Sequence, residues 1–144
     1  MTPLEALQTT LEAEHAAIYV YGALGAQTSQ STSGQLFHAI TAAYTTHRGR
    51  RDQLALEITA RHADPVASAP AYELPARLGT EEAVARTALG LERSCATTYA
   101  YLVANSQSVW RRWAIGALTE SAVRELAFRG TPEMFPGADE YANR

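Results

Sequence analysis

Apolar residues recur along four stretches of the chain at alternating three- and four-residue spacing, the period of one face of an α-helix. The first stripe runs Leu4, Leu7, Leu11, Ile18, Tyr21 and is preceded by Thr2 and Pro3, a capping residue followed by proline at the first helical position. The second runs Phe37, Ile40, Tyr44, Leu54, Ile58. The third runs Ala85, Ala88, Cys95, Tyr99, Leu102 and opens with Thr80, Glu81 and Glu82, a cap with acids in the first turn. The fourth runs Trp110, Trp113, Ala117, Ala127 and is stopped by Gly130 and Pro132. This pattern predicts helices over about 3–27, 35–61, 80–104 and 109–129 within a single domain, 1–144, with an irregular tail over 131–144.

Each stripe is interrupted at its middle by a polar residue: Glu14 in the first, His47 in the second, Glu92 in the third and Glu120 in the fourth. An unpartnered charge inside a helix bundle costs several kcal/mol, so these groups must be paired with one another, with arginines, or with a metal. The connections say which helices are neighbours. Residues 27–34 and 104–108 are short and polar, which makes helices one and two, and three and four, antiparallel hairpins. Between them Pro65, Pro70 and Pro75 force an extended path over about eighteen residues, long enough at about 3.3 Å each to run the length of a helix and return the chain to its starting end. An all-α, up-down-down-up four-helix bundle with a long crossover between helices two and three follows.

Residues equally far from the centre of a hairpin turn lie at the same height. Glu14 and His47 are equidistant from a turn centred between Gln30 and Ser31, and Glu92 and Glu120 from a turn centred near Ser106. All four lie near their helix midpoints, so one central cluster is expected.

Composition narrows the rest. The 144 residues are 47% hydrophobic and 8% aromatic, enough for one buried core and rich in helix formers. A formal net charge of -3 argues against a nucleic-acid surface. A single cysteine, no leader pattern and no long apolar run point to a cytoplasmic protein with no membrane segment.

Three carboxylates and one imidazole suit a single iron, manganese or zinc ion. A metal-free account is also open. Arg51 lies four residues after His47 and Arg124 four after Glu120, one turn from the cluster on the same faces. Three glutamates against two arginines and a protonated His47 sum to zero, which would make a closed ionic network.

On these residues the chain resembles the ferritin-like superfamily, and more closely an alanine-rich bacterial ferritin-like domain family of unestablished function, over residues 1 to about 130. In the complete di-iron form of that superfamily, helices one and three each supply a glutamate and helices two and four each supply a Glu-x-x-His pair. The resemblance places Glu14, His47, Glu92 and Glu120 at four of the six ligand positions. Tyr44 stands in place of the second-helix glutamate and Val123 in place of the fourth-helix histidine. It implies a ferritin-like protein with a degenerate central carboxylate and histidine site, metal-free or holding one iron or manganese ion, acting as a non-catalytic binding or structural module. The alternative is an iron- or manganese-dependent oxidoreductase with a reduced site.

His15 is about 100° around the helix from Glu14 and is expected to face a neighbouring helix or subunit, while His38 and His62 read as surface or capping residues. Cys95 reads as a small buried hydrophobe. Trp110 and Trp113, with Tyr19, Val20 and Tyr21, spread apolar area over more than one helix face. That predicts a homodimer, unless Phe135 and Tyr141 of the tail cover it.

Overall fold

The computed structural model describes residues 2–128 and 132–138. It contains four helices and, among the described residues, no strand: α1 Pro3–Ala26, α2 Gly34–Ala60, α3 Glu81–Asn105 and α4 Ser108–Ala127. α1 starts where a capping box forms. The Glu5 amide donates to the Thr2 hydroxyl at 3.2 Å and the Thr2 amide donates to the Glu5 carboxylate at 2.7 Å, satisfying two amides that would otherwise lack a partner. At α3 the Thr80 hydroxyl accepts from the Ala83 amide at 3.1 Å. These caps fix where the stripes begin and therefore which way each face points.

The helices form a four-helix bundle with two buried apolar clusters at its ends. One end collects Leu7 and Leu11 from the start of α1, Leu54 and Ile58 from the end of α2, Leu102 from the end of α3 and Ala114 from the start of α4. The other collects Tyr21 and Leu24, Ile40 and Ala43, Val84 and Ala88, and Phe128. A third cluster, Ala17, Cys95, Tyr99 and Ala117, lies between them. Alanines and a cysteine at mid-bundle keep that layer small, and the polar side chains occupy the space this leaves.

The crossover over 61–80 is extended and is held against α1. The Gln8 side chain donates to the Asp64 carbonyl at 2.7 Å and accepts from the Val66 amide at 2.8 Å, and His15 Nε2 is 3.0 Å from the Val66 carbonyl. Tyr72 packs against Tyr19 with ring centroids 5.5 Å apart. His15 thus faces the crossover, not the central cluster or another helix.

Trp110 and Trp113 pack on the first cluster and on each other at 5.1 Å, and the Trp113 indole donates to Gln53 at 2.6 Å. Trp110 and Trp113 are thus partly covered within the chain, while Tyr19 stays exposed. Phe135 is exposed, and Tyr141 and Gly130 lie outside the described residues. The exposed apolar side chains of α4 are instead Val109, Ile115, Val123 and Leu126. Among the described residues no helix is long and apolar enough to cross a membrane.

Candidate functional site

At mid-bundle His47 is fully buried between two carboxylates. Its Nδ1 is 2.6 Å from Glu14 Oε2 and its Nε2 is 3.2 Å from Glu92 Oε1. Both ring nitrogens can serve two carboxylates only by donating, which requires the imidazolium form. Burial pushes the His47 pKa down, but the hydrogen bonds and charges of Glu14 and Glu92 outweigh it, and the net direction is up. Burial likewise opposes ionisation of Glu92, yet His47, Arg124 and Tyr21 bring its pKa down to about 2.

Two tyrosines complete the carboxylates. The Tyr21 hydroxyl donates to Glu92 Oε1 at 2.5 Å while its ring stacks on the His47 imidazole at 5.4 Å. The Tyr99 hydroxyl donates to Glu14 Oε1. Burial, together with the neighbouring carboxylates, holds both phenols well above their usual pKa, so each is a neutral donor. Tyr99 in turn accepts from Arg50 Nη1 at 2.8 Å, and the guanidinium carbon sits 4.9 Å from the Tyr99 ring centroid. Arg124 reaches Glu92 from α4 at 3.4 Å. All four carboxylate oxygens of Glu14 and Glu92 are engaged by described side chains.

Glu120 is not in this cluster. Its side chain is 62% exposed and, among the described residues, meets the network only through Arg50, whose Nη2 donates to Glu120 Oε2 at 2.7 Å. The buried face of α4 is Ala114, Ala117, Ser121 and Glu125, followed by Phe128, so the inward stripe steps by four residues after Ala117 where the sequence reading stepped by three. The second hairpin is consistent with this register. Only Ser106 and Gln107 separate α3 from α4, which moves the turn centre half a residue on and places Ser121, not Glu120, level with Glu92. One residue is a small error in height, about 1.5 Å, but about 100° in direction.

The buried arginine is also a different one. Arg50, 5% exposed, faces the core, whereas Arg51 points outward and pairs with Asp52 at 2.7 Å. Positions three and four after His47 are both neighbours on a helix surface, and the α2 core stripe continues through the third: Ile40, Ala43, His47, Arg50, Leu54, Ile58. Besides Tyr99 and Glu120, Arg50 donates to the Ala117 carbonyl and the Ser121 hydroxyl, each at 3.3 Å, tying α2 to α4.

Tyr44 is half-buried on the flank of α2, with the Arg48 guanidinium 5.6 Å from its ring centroid, and Val123 is exposed. Cys95 is buried beside the network, and burial and the adjacent carboxylates push its thiol pKa up, away from the reactive thiolate. Glu125 is a buried acid that the stripe analysis missed through the same register. It pairs with Arg93 at 3.3 Å, leaves its Oε1 without a hydrogen bond, and has its pKa raised by burial and by Glu133.

A dication bound by Glu14, His47 and Glu92 would need their lone pairs to converge on one shared point. Here the carboxylates converge on the imidazole itself, and no three His, Cys, Asp or Glu side chains among the described residues are arranged to hold a metal ion. The donor set in this arrangement does not fit a resident metal. With Glu14, Glu92 and Glu120 ionised, His47 protonated and Arg50 and Arg124 as cations, the network is neutral.

A crystal structure of a conserved hypothetical protein, rv2844, from Mycobacterium tuberculosis superimposes with a TM-score of 0.80 at 30% identity, covering 88% of this chain and 94% of that one. No curated protein matches. The profile of the domain of unknown function DUF4439 matches residues 6–140, and the chain belongs to that family.

Proposed function

We propose that the protein is a ferritin-like module, binding or structural and not catalytic, in which a protonated histidine and two arginines supply the positive charge that metal ions supply in a complete di-iron bundle. The observation that carries this reading is the occupation of both His47 nitrogens by Glu14 and Glu92. The helix ends that share each apolar cluster support an up-down-down-up course. In the register that α4 adopts, the fourth-helix ligand pair of the ferritin-like pattern shifts from Glu120 and Val123 to Ser121 and Arg124. A hydroxyl and a guanidinium then stand where an acid and a histidine would be, and Arg124 points at Glu92. A fixed guanidinium beside Glu92 repels an incoming dication.

Elemental analysis of protein purified without chelator, before and after loading with ferrous or manganous salt, tests this. Retention of less than about a tenth of an equivalent is expected. Stoichiometric iron or manganese, lost on Glu92→Gln, would overturn the metal-free centre, and the alternative, an iron- or manganese-dependent oxidoreductase with ligands Glu14, His47, Glu92 and Glu120, would then require turnover by the metal-loaded protein as well.

Self-association as a homodimer belongs to the same reading. Ile115, Val123 and Leu126 are exposed and fall within one side of α4. Sedimentation equilibrium tests it: Val123→Glu should convert a dimer to monomer, and a wild-type monomer at all concentrations rules it out. The chain is assigned to the cytoplasm on its single cysteine.

A further inference from the structure

The helices α2 and α4 do not pack closely against each other. Between them runs a groove of about 420 Å³, whose walls include Thr45, Thr46, Gly49, Trp113 and Gly116 and whose inner end is the Arg50 guanidinium. This volume lies within the range of about 300–1,000 Å³ common for small-molecule sites. A Cβ added at Gly49 or Gly116 would meet nothing within 4 Å. Glycine weakens a helix relative to alanine, so two glycines that packing does not require keep open space at the groove at the expense of their helices.

The chemistry at the inner end is that of an anion site. Arg50 is buried and needs an anionic partner, and the one it has, Glu120, is largely solvent-exposed at the groove mouth. Arg112 lines the same groove and adds a second cation there. Trp113, fixed by its hydrogen bond to Gln53, offers an apolar wall with a set orientation. A larger depression near Ser33, Leu36, Glu81 and Arg86 has no buried charged side chain in its lining and lacks this combination.

We propose that the groove between α2 and α4 binds a small organic carboxylate, whose carboxylate takes the place of Glu120 on Arg50 while its body lies against Trp113 and the two glycines. The exchange is neutral in charge at Arg50. Glu120 loses little by turning into water because it is already mostly hydrated. Thr45 and Thr46 provide hydroxyls for a polar substituent. The guanidinium keeps its bonds to Tyr99, Ser121 and the Ala117 carbonyl throughout, so the site needs no rearrangement of the buried network. The proposal gives the binding module above a ligand class, but it does not depend on whether the centre holds a metal.

Benzoate and hexanoate titrated into the full chain, with benzamide as the uncharged control, test it through the Trp113 indole and Arg50 Nε–H signals in nitrogen-15 NMR spectra. Saturable shifts at both positions are expected for one or both acids at concentrations up to about 20 mM, and not for benzamide. Gly116→Leu fills the groove from a position whose Cβ meets nothing within 4 Å, and it should remove the response while leaving the melting temperature no lower than that of wild type. Glu120→Gln weakens the internal competitor and should tighten binding by about three- to tenfold. The proposal falls if neither acid gives a saturable shift in wild type or Glu120→Gln, if benzamide binds equally, or if Gly116→Leu binds as wild type does. Metal analysis can fail while this titration succeeds, and the reverse.

Discussion

Glu14 and His47, thirty-three residues apart in the chain, meet at 2.6 Å with both side chains fully buried, and the opposite edge of the same imidazole faces Glu92. His47 therefore acts as the cation between two anions that would otherwise repel each other across the bundle. Removing it leaves two buried carboxylates with tyrosine, arginine and no central charge. We expect His47→Ala to cost about 3–5 kcal/mol in denaturant unfolding. Glu14→Gln combined with His47→Gln should cost less than the sum of the two single changes, because the double variant removes a charge together with its partner. Strict additivity would show that the two groups are not coupled.

The network also predicts the pH dependence of stability. The Glu92 pKa is lowered on folding from 4.5 to about 2, so its contribution is present above about 4.5 and is lost as pH falls towards 2. The His47 pKa is raised on folding, so its contribution is complete below 6.5 and declines as pH rises through the folded value. Stability measured by chemical denaturation should peak between about pH 4.5 and 6.5. A profile that rises steadily from pH 6 to 9 would contradict a charged His47.

Arg50 and Arg51 are adjacent in sequence and opposite in consequence. Arg50→Met deprives Tyr99, Ser121 and the Ala117 carbonyl of their shared donor, and about 2–3 kcal/mol should be lost. Arg51→Met removes only a surface pair with Asp52 and should change stability by less than about 0.5 kcal/mol. Urea midpoints of the two variants compare them directly. Equal losses would mean that the buried face of α2 passes through Arg51 after all.

Glu120 and Glu92 make a similar contrast between neighbouring helices. Glu120→Gln affects an exposed partner of Arg50 and is expected to cost under about 1 kcal/mol. Glu92→Gln leaves His47 and Arg124 short of a buried anion and should cost about 3 kcal/mol or more. Thermal melts at pH 6 give the order, and a reversed order would place Glu120 in the centre.

The number and type of elements were legible in the sequence because they rest on local physics. Helical spacing in four stripes, caps at Thr2 and Thr80 and prolines at 65, 70 and 75 each act within a turn or two of themselves. The places of three of the four residues expected at the centre were legible as well. Glu14, His47 and Glu92 sit in stripes whose flanking apolar residues leave little choice of face, and counting across the first hairpin brings Glu14 to within one residue of His47 in height. α4 offered no such contrast. It carries apolar residues around much of its circumference, so a stripe through Glu120 and one through Ser121 read equally well, and likewise Arg50 and Arg51 are both neighbours of His47 on one helix.

What the sequence determined by itself, then, is that four helices bury three ionisable side chains near their midpoints and that those charges require partners. Which groups answer them was decided by tertiary structure. The register in which α4 packs, with Ala117, Ser121 and Glu125 inward, turns Glu120 to solvent and Arg124 towards Glu92. Direction around a helix changes by about 100° per residue while height changes by about 1.5 Å, so a count along the chain can set the level of a side chain well and still miss its face.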